Sequence, residues 1–176
     1  MTSGNLNLVE RIFSEAPFVG LLGVKLISYG RGWCETTVDI LPTLQQQHGF
    51  AHAGVLTTIA DHTCGGGASV VSEEKNVITV ENKTSFLRPA SGSVLICRAQ
   101  VLRAGKNLIF VEAEVSVERN EERLVVAKTS SDGSPMRSSR KSVHERLSLR
   151  KASSNRRKTT AVGFQSPCIT LAPATP

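Results

Sequence analysis

The run from Gln45 to Val71, QQQHGFAHAGVLTTIADHTCGGGASVV, constrains the fold of this chain more than any other stretch. It holds three of the four histidines, and between His52 and Glu73 its only acidic residue is Asp61. A helix with so little charge is buried on most sides and must be wrapped by other elements. It is too short, too rich in glycine and too polar at Asp61 and His62 to span a bilayer, which takes about 20 mostly apolar residues. Val55, Leu56, Ile59 and Ala60 recur at the spacing of one helical face, which predicts a helix starting near Ala53. The start of a helix leaves backbone N–H groups without partners and carries partial positive charge, which suits a developing oxyanion. Asp61, about two turns further in, has no basic partner nearby in sequence, so its carboxylate is unfavourable without a function or a partner from elsewhere.

Around this stretch the pattern is α+β. Leu6, Val9, Ile12 and Phe13 predict a short amphipathic helix over 5–15, which Pro17 stops. Gly23–Tyr29 and Trp33–Ile40, joined by Gly30-Arg31-Gly32, predict a hairpin with Cys34, Thr36, Val38 and Ile40 on one face. After the central helix, Val77–Leu87 alternates and ends at Arg88-Pro89, since proline supplies no ladder N–H. Val94–Leu102, Leu108–Val117 and Arg123–Lys128 follow as a meander, so the expected layout is one helix against consecutive antiparallel strands that curl round it.

A length of 176 residues accommodates one domain with a sizeable core. The net charge of +6 is a property of the tail: residues 1–129 carry 12 Lys and Arg against 13 Asp and Glu, and residues 130–176 carry 9 against 2. The division expected is therefore a domain over 1–129 and a Ser/Arg/Lys-rich tail over 130–176 that is disordered. Within the tail, Arg150-Lys151-Ala152-Ser153 resembles a basophilic kinase site, but a solvated tail without a specific nucleic-acid partner is the favoured reading. Cys34, Cys64, Cys97 and Cys168 form no CxxC pair, and the first residues contain no apolar signal segment, so a reducing cytoplasm is the expected location.

His48, His52, His62, Asp61 and Cys64 also have the chemistry of metal ligands. Glycines 49 and 54 argue against one helix presenting His48 and His52 together, and the glutamate of an HExxH motif is absent, so no metal is expected. His62 is expected beside the site or at an interface. Gly65-Gly66-Gly67 costs a helix about 1 kcal/mol per residue relative to alanine, which implies close approach to the sheet or to a partner's helix, and the triplet is expected to lie exposed along the helix of a single chain, implying at least a dimer. No Lys-Ser/Thr follows it, so it is not a phosphate loop.

The pattern His48-Gly49-x-x-His52-Ala53-Gly54, followed by Asp61 nine residues after His52, resembles the catalytic motif of the PaaI-type hotdog-fold thioesterases. That family has Asn two residues before the first His and a His-Gly-Gly turn; this chain has Gln46 and Ala53 at those places. The likeness runs in element order from about Phe13 to Lys128. It implies a hotdog fold, hydrolysis of small or medium acyl-CoA, aryl or aliphatic, no cofactor, and a homodimer or homotetramer with the acyl chain entering between subunits. It further implies that Asp61 acts as general base or nucleophile, that the Ala53 N–H beside Gly54 holds the oxyanion, and that Gln46 orients water or substrate. His52 would shape the turn and orient the thioester, and Thr79, eighteen residues after Asp61, would support the water. His48, Gly49 and Phe50 would line the substrate site, and Arg88, Arg103 and Lys106, at strand ends and turns, could hold CoA phosphates. A non-catalytic acyl-CoA-binding module and a hotdog enoyl hydratase or dehydratase are the alternatives.

Overall fold

The computed structural model describes residues 3–136 apart from 74, 120 and 121, with the backbone alone for residues 3–7. The central helix is α3 (Ala53–Val71), preceded by α1 (Ser3–Glu15) and α2 (Pro17–Leu21) and by the hairpin β1 (Lys25–Gly30) and β2 (Trp33–Asp39). After it come β3 (Asn76–Phe86), β4 (Val94–Ala104), β5 (Ile109–Arg119) and β6 (Glu122–Met136). Pro17, which stops α1, is also the first residue of α2, where its missing N–H costs nothing.

The six strands form one antiparallel sheet in the order β1-β2-β4-β5-β6-β3. Its inner face is set by period-two alternation: Cys34, Thr36 and Val38 of β2 and Ile109, Val111, Ala113, Val115 and Val117 of β5 are buried. Against them lie Val55, Leu56, Ile59, Ala60, Cys64 and Ala68 of α3. Full burial of a side chain such as Ile59, at 0% exposed, contributes about 1.5–3 kcal/mol. One polar contact sits inside this layer. Thr36 and Thr63 meet at 2.6 Å between hydroxyls, and Thr63 donates to the Ile59 carbonyl, so neither hydroxyl is buried without a partner. This is a long helix wrapped by a curved antiparallel sheet, the hotdog arrangement expected.

Three expectations need correction. First, β3 does not sit beside β4: the Leu87–Ser93 segment carries the chain across, so that β4 pairs with β2 while β3 forms the far edge against β6. Alternation marks which residues face inward but not which strand lies alongside, and the crossing is held by backbone bonds from Ile40 to Ser93 and from Ala51 to Ala90. Second, the last strand runs past 129 to Met136, because Ser130, Ser131 and Asp132 pair with Lys83, Asn82 and Glu81 of β3. The polar composition that marks a tail is here a strand paired on both sides, with β5 and with β3, and Ser131 is buried in it; the rest of the expected tail lies outside the described residues. Third, the glycine triplet is not exposed along the helix. A methyl on Gly66 would stand 2.9 Å from Cys34 Sγ and 3.0 Å from the Phe13 ring, and one on Gly67 3.6 Å from the Trp33 backbone. Close approach to β2 and α1 is the reason for these two glycines, and only Gly65 faces open space.

A chain ending after Thr129 loses seven of the ten β3–β6 residue pairs, whereas one ending after Met136 keeps them all. The shorter chain is expected to melt at a clearly lower temperature or to lose cooperative unfolding; equal melting curves would contradict the extended strand.

Candidate active site

The loop into α3 is built by its own backbone. The Gln46 N–H donates to the Phe50 carbonyl at 2.8 Å, the Gly49 N–H donates to the Gln46 carbonyl at 2.9 Å, and Gln45 and Ala51 form a bridge. Gly49 has φ +79, a left-handed value suited to glycine. The Gln46 Oε1 accepts from the His48 N–H at 2.7 Å, which fixes the amide and leaves its nitrogen as the available donor. His52 is the N-cap of α3, its Nδ1 accepting from the Gly54 N–H at 3.0 Å, so this imidazole carries its proton on Nε2. Gly54 is thereby occupied, while the N–H of Ala53, the first helical residue, has no acceptor among the described residues. A cleft of about 380 Å³ opens at this helix start, lined by Gln46, Phe50, Ala53, Leu56, Phe86 and Arg88.

Asp61 lies on a different part of α3 and is half-buried against β3. Its Oδ1 accepts from Thr79 Oγ1 at 2.9 Å and from Asn82 Nδ2 at 3.1 Å, while Oδ2 has no partner among the described residues. The carboxylate without a basic neighbour is thus compensated by two neutral donors from one strand. In a regular strand residues three apart face opposite sides, and Thr79 and Asn82 could not both reach one oxygen. The β3–β6 register shifts between Thr79 and Glu81, and the extra residue, Val80, turns Asn82 to the side on which Thr79 lies. Asn82 was missed in the sequence for this reason. Counting by twos from Thr79 puts it outside.

The remaining predicted residues are dispersed. His48 and Gly49 are exposed on the loop and do not line the cleft. Arg88 does, and its guanidinium donates to the Val125 carbonyl at 2.8 Å. Arg103 is exposed on β4, and Lys106 lines a larger cleft of about 750 Å³ with Tyr29, Arg31, Val71 and Lys75, at the opposite end of α3. Within one chain, therefore, Arg88 and Lys106 do not form one phosphate site, because the β4–β5 turn lies at the far end of the helix. His62, expected at the site or an interface, faces α1 instead: it meets the Phe13 ring edge-on at 4.6 Å and hydrogen-bonds the Ile12 backbone, and its Nε2 is buried without a partner among the described residues. Cys34 and Cys97 are pushed up to about 12 by burial, and burial also raises Cys64, so none of these thiols is a nucleophile at neutral pH. No group of three metal-binding side chains occurs among the described residues.

Residues 48–123, which span the loop, α3 and the strands up to β6, match the family model of the Thioesterase superfamily. The crystal structure of a thioesterase family protein from Silicibacter pomeroyi is 32% identical, with a TM-score of 0.73, and the alignment covers 75% of this chain and 98% of that one. The chain belongs to the thioesterase superfamily. Further solved structures share its fold. The PaaI protein of E. coli, from the phenylacetic acid degradation operon, is 20% identical with a TM-score of 0.65, over 76% of this chain and 94% of that one. A thioesterase from Haemophilus influenzae is 24% identical with a TM-score of 0.65, over 78% and 92%. The superfamily supports thioester hydrolysis at the level of the family, and no helix among the described residues of this member is long and apolar enough to cross a membrane.

Burial lowers the His62 pKa below its ordinary 6.5, the Ile12 backbone and Asp61 opposing only in part. The unfolded chain therefore takes up the proton first as pH falls, and stability present above about 6.5 is lost below it. His62→Leu is expected to lose less stability than the wild type between about pH 7.5 and about pH 5 in urea unfolding. Equal losses would show that His62 is not a source of the acid sensitivity.

Proposed function

We propose that the protein is a PaaI-type acyl-CoA thioesterase in which Asp61 is the general base. The observation that carries this reading is the Asp61 carboxylate itself: Oδ1 is saturated by Thr79 and Asn82, and Oδ2 is left to accept a proton from water. The water oxygen attacks the thioester carbonyl as its proton passes to Oδ2, and the carbonyl becomes a tetrahedral oxyanion held by the Ala53 N–H and the positive end of α3. The C–S bond then breaks, the proton on Asp61 goes to the leaving sulfur, and the products are a carboxylic acid and free CoA thiol. Gln46 donates its amide to water or substrate, and His52 acts by capping the helix start that presents Ala53. No cofactor is required for this chemistry.

Helix geometry adds a condition. Ala53 and Asp61 are eight residues apart on α3, about 12 Å along its axis, and cannot both contact one reacting carbonyl. The site is therefore composed of Asp61 from one subunit and the helix start of its partner. The edge strand β3 supports this, because it bears exposed Ile78, Val80 and Phe86 on an open ladder, a surface that soluble proteins cover by pairing. A homodimer joined at this edge, alone or paired into a tetramer, is the assembly we propose. The acyl group enters the cleft beside Phe50, Leu56 and Phe86, whose apolar walls suit a small or medium aryl or aliphatic chain. Arg88 at that cleft meets a CoA phosphate, and Arg103 and Lys106 reach it only from a neighbouring subunit. A cytoplasmic location agrees with three buried cysteines that remain free.

Thiol release over a panel of acyl-CoA esters tests the reading. Asp61→Asn keeps shape and hydrogen-bonding capacity, so kcat is expected to fall about 100-fold or more with melting temperature retained. Gln46→Ala is expected to lower kcat less, since water partly replaces an orienting amide. Near-wild-type kcat in a folded Asp61→Asn protein would refute the mechanism.

A further inference from the structure

We infer that Asn82 is a positioning residue, holding the Asp61 carboxylate in one orientation so that Oδ2 is the oxygen that takes the proton. The inference rests on Asp61 acting as base and goes beyond it by assigning the group that aims it. Asn82 donates through Nδ2 to Asp61 Oδ1 at 3.1 Å, and its own Oδ1 accepts from Thr84 Oγ1 at 3.1 Å. The Thr84 hydroxyl has one hydrogen, already given to Asn82, so in its 2.9 Å contact with Thr129 the latter donates. Thr129 is 3% exposed on β6, so the relay starts in the packed sheet and ends at the carboxylate. An Asn82 amide turned the other way would set its oxygen against the Asp61 oxygen, which can only accept, and the Thr84 hydroxyl donating to Asn82 Oδ1 holds the amide against that turn.

The bulge at Val80 makes the arrangement possible, since it brings Asn82 to the Thr79 side while Thr84, two residues on, stays on the same face. Two donors from different points of β3 on a single oxygen restrict rotation of the carboxylate more than one would. They also use up the lone pairs of Oδ1, so the competing base position is removed. Asn82 touches neither the proposed water nor the thioester, and it acts only through Asp61.

Steady-state thiol release and thermal unfolding on the full chain provide the test. Asn82→Leu is expected to lower kcat about 10-fold or more with KM within about 2-fold, because orientation is lost and substrate contacts are not. Thr84→Val, which leaves Asn82 in place but frees its amide to turn, is expected to lower kcat about 3-fold, and Thr84→Ser, which keeps the hydroxyl, to restore it. Adding Asn82→Leu to Asp61→Asn is expected to cost nothing further, as for two residues acting as a unit. If Asp61→Asn is inactive while folded Asn82→Leu and Thr84→Val keep full kcat, or if the double variant falls by another 10-fold, the positioning role is overturned and the base assignment stands. Should Asn82→Leu not fold, the Thr84 pair decides the matter alone. A wild type without turnover, or an active Asp61→Asn, overturns the base assignment and this inference with it.

Discussion

The burial of α3 on nearly every side is the constraint from which the rest of the structure follows. A helix bearing Val55, Leu56, Ile59, Ala60 and Cys64 on one face, with Gly66 and Gly67 on another, has no polar stripe wide enough to face water. The sheet must curve round it and α1 must close over it. The helix backbone comes close enough to β2 that a methyl at Gly66 would strike Cys34 and Phe13. The helix penalty of these glycines is offset by that approach, and the Thr36–Thr63 bond ties the same two elements at their centre.

What remains of α3 unburied is what chemistry can use. At its start the fold leaves the Ala53 N–H without an acceptor, after His52 has taken that of Gly54. Along its flank it leaves Asp61 at the β3 edge, held by two neutral donors rather than by a cation. A cation there would compete with a developing positive charge on water; hydroxyl and amide donors fix the oxygen without neutralising it. The two features lie too far apart along one helix to serve one carbonyl. Assembly and catalysis are coupled in our reading for that geometric reason.

Much of this was legible in the residues. Alternation placed Cys34, Thr36 and Val38 on one face of β2, the face that is buried, and helical spacing located α3 and its start near Ala53. The isolation of Asp61 in an uncharged run singled it out before any strand was positioned against it, and Thr79 proved to be its partner. The rest was hidden because it depends on pairing. Whether β3 lies beside β4 or β6 is not written in either strand, and Ser130–Met136 read as tail until β3 supplied a ladder for it. Asn82 lay hidden behind a bulge that moves it by one position, and Lys106 belongs to a turn whose end of the molecule only the topology decides.

The central claim is that one carbonyl is served by Asp61 of one subunit and the helix start of the other, and mixed dimers test it most directly. Ala53→Pro removes the N–H at a first helical position where proline is tolerated, after a His52 already extended at φ −64 and ψ 139. Asp61→Asn and Ala53→Pro chains are each expected to be nearly inactive alone. Mixed in equal amounts, unfolded together and refolded, they should regain about a quarter of wild-type activity, because about half of the dimers are mixed and each holds one intact site of two. Activity no greater than the average of the two parent proteins would contradict a shared site.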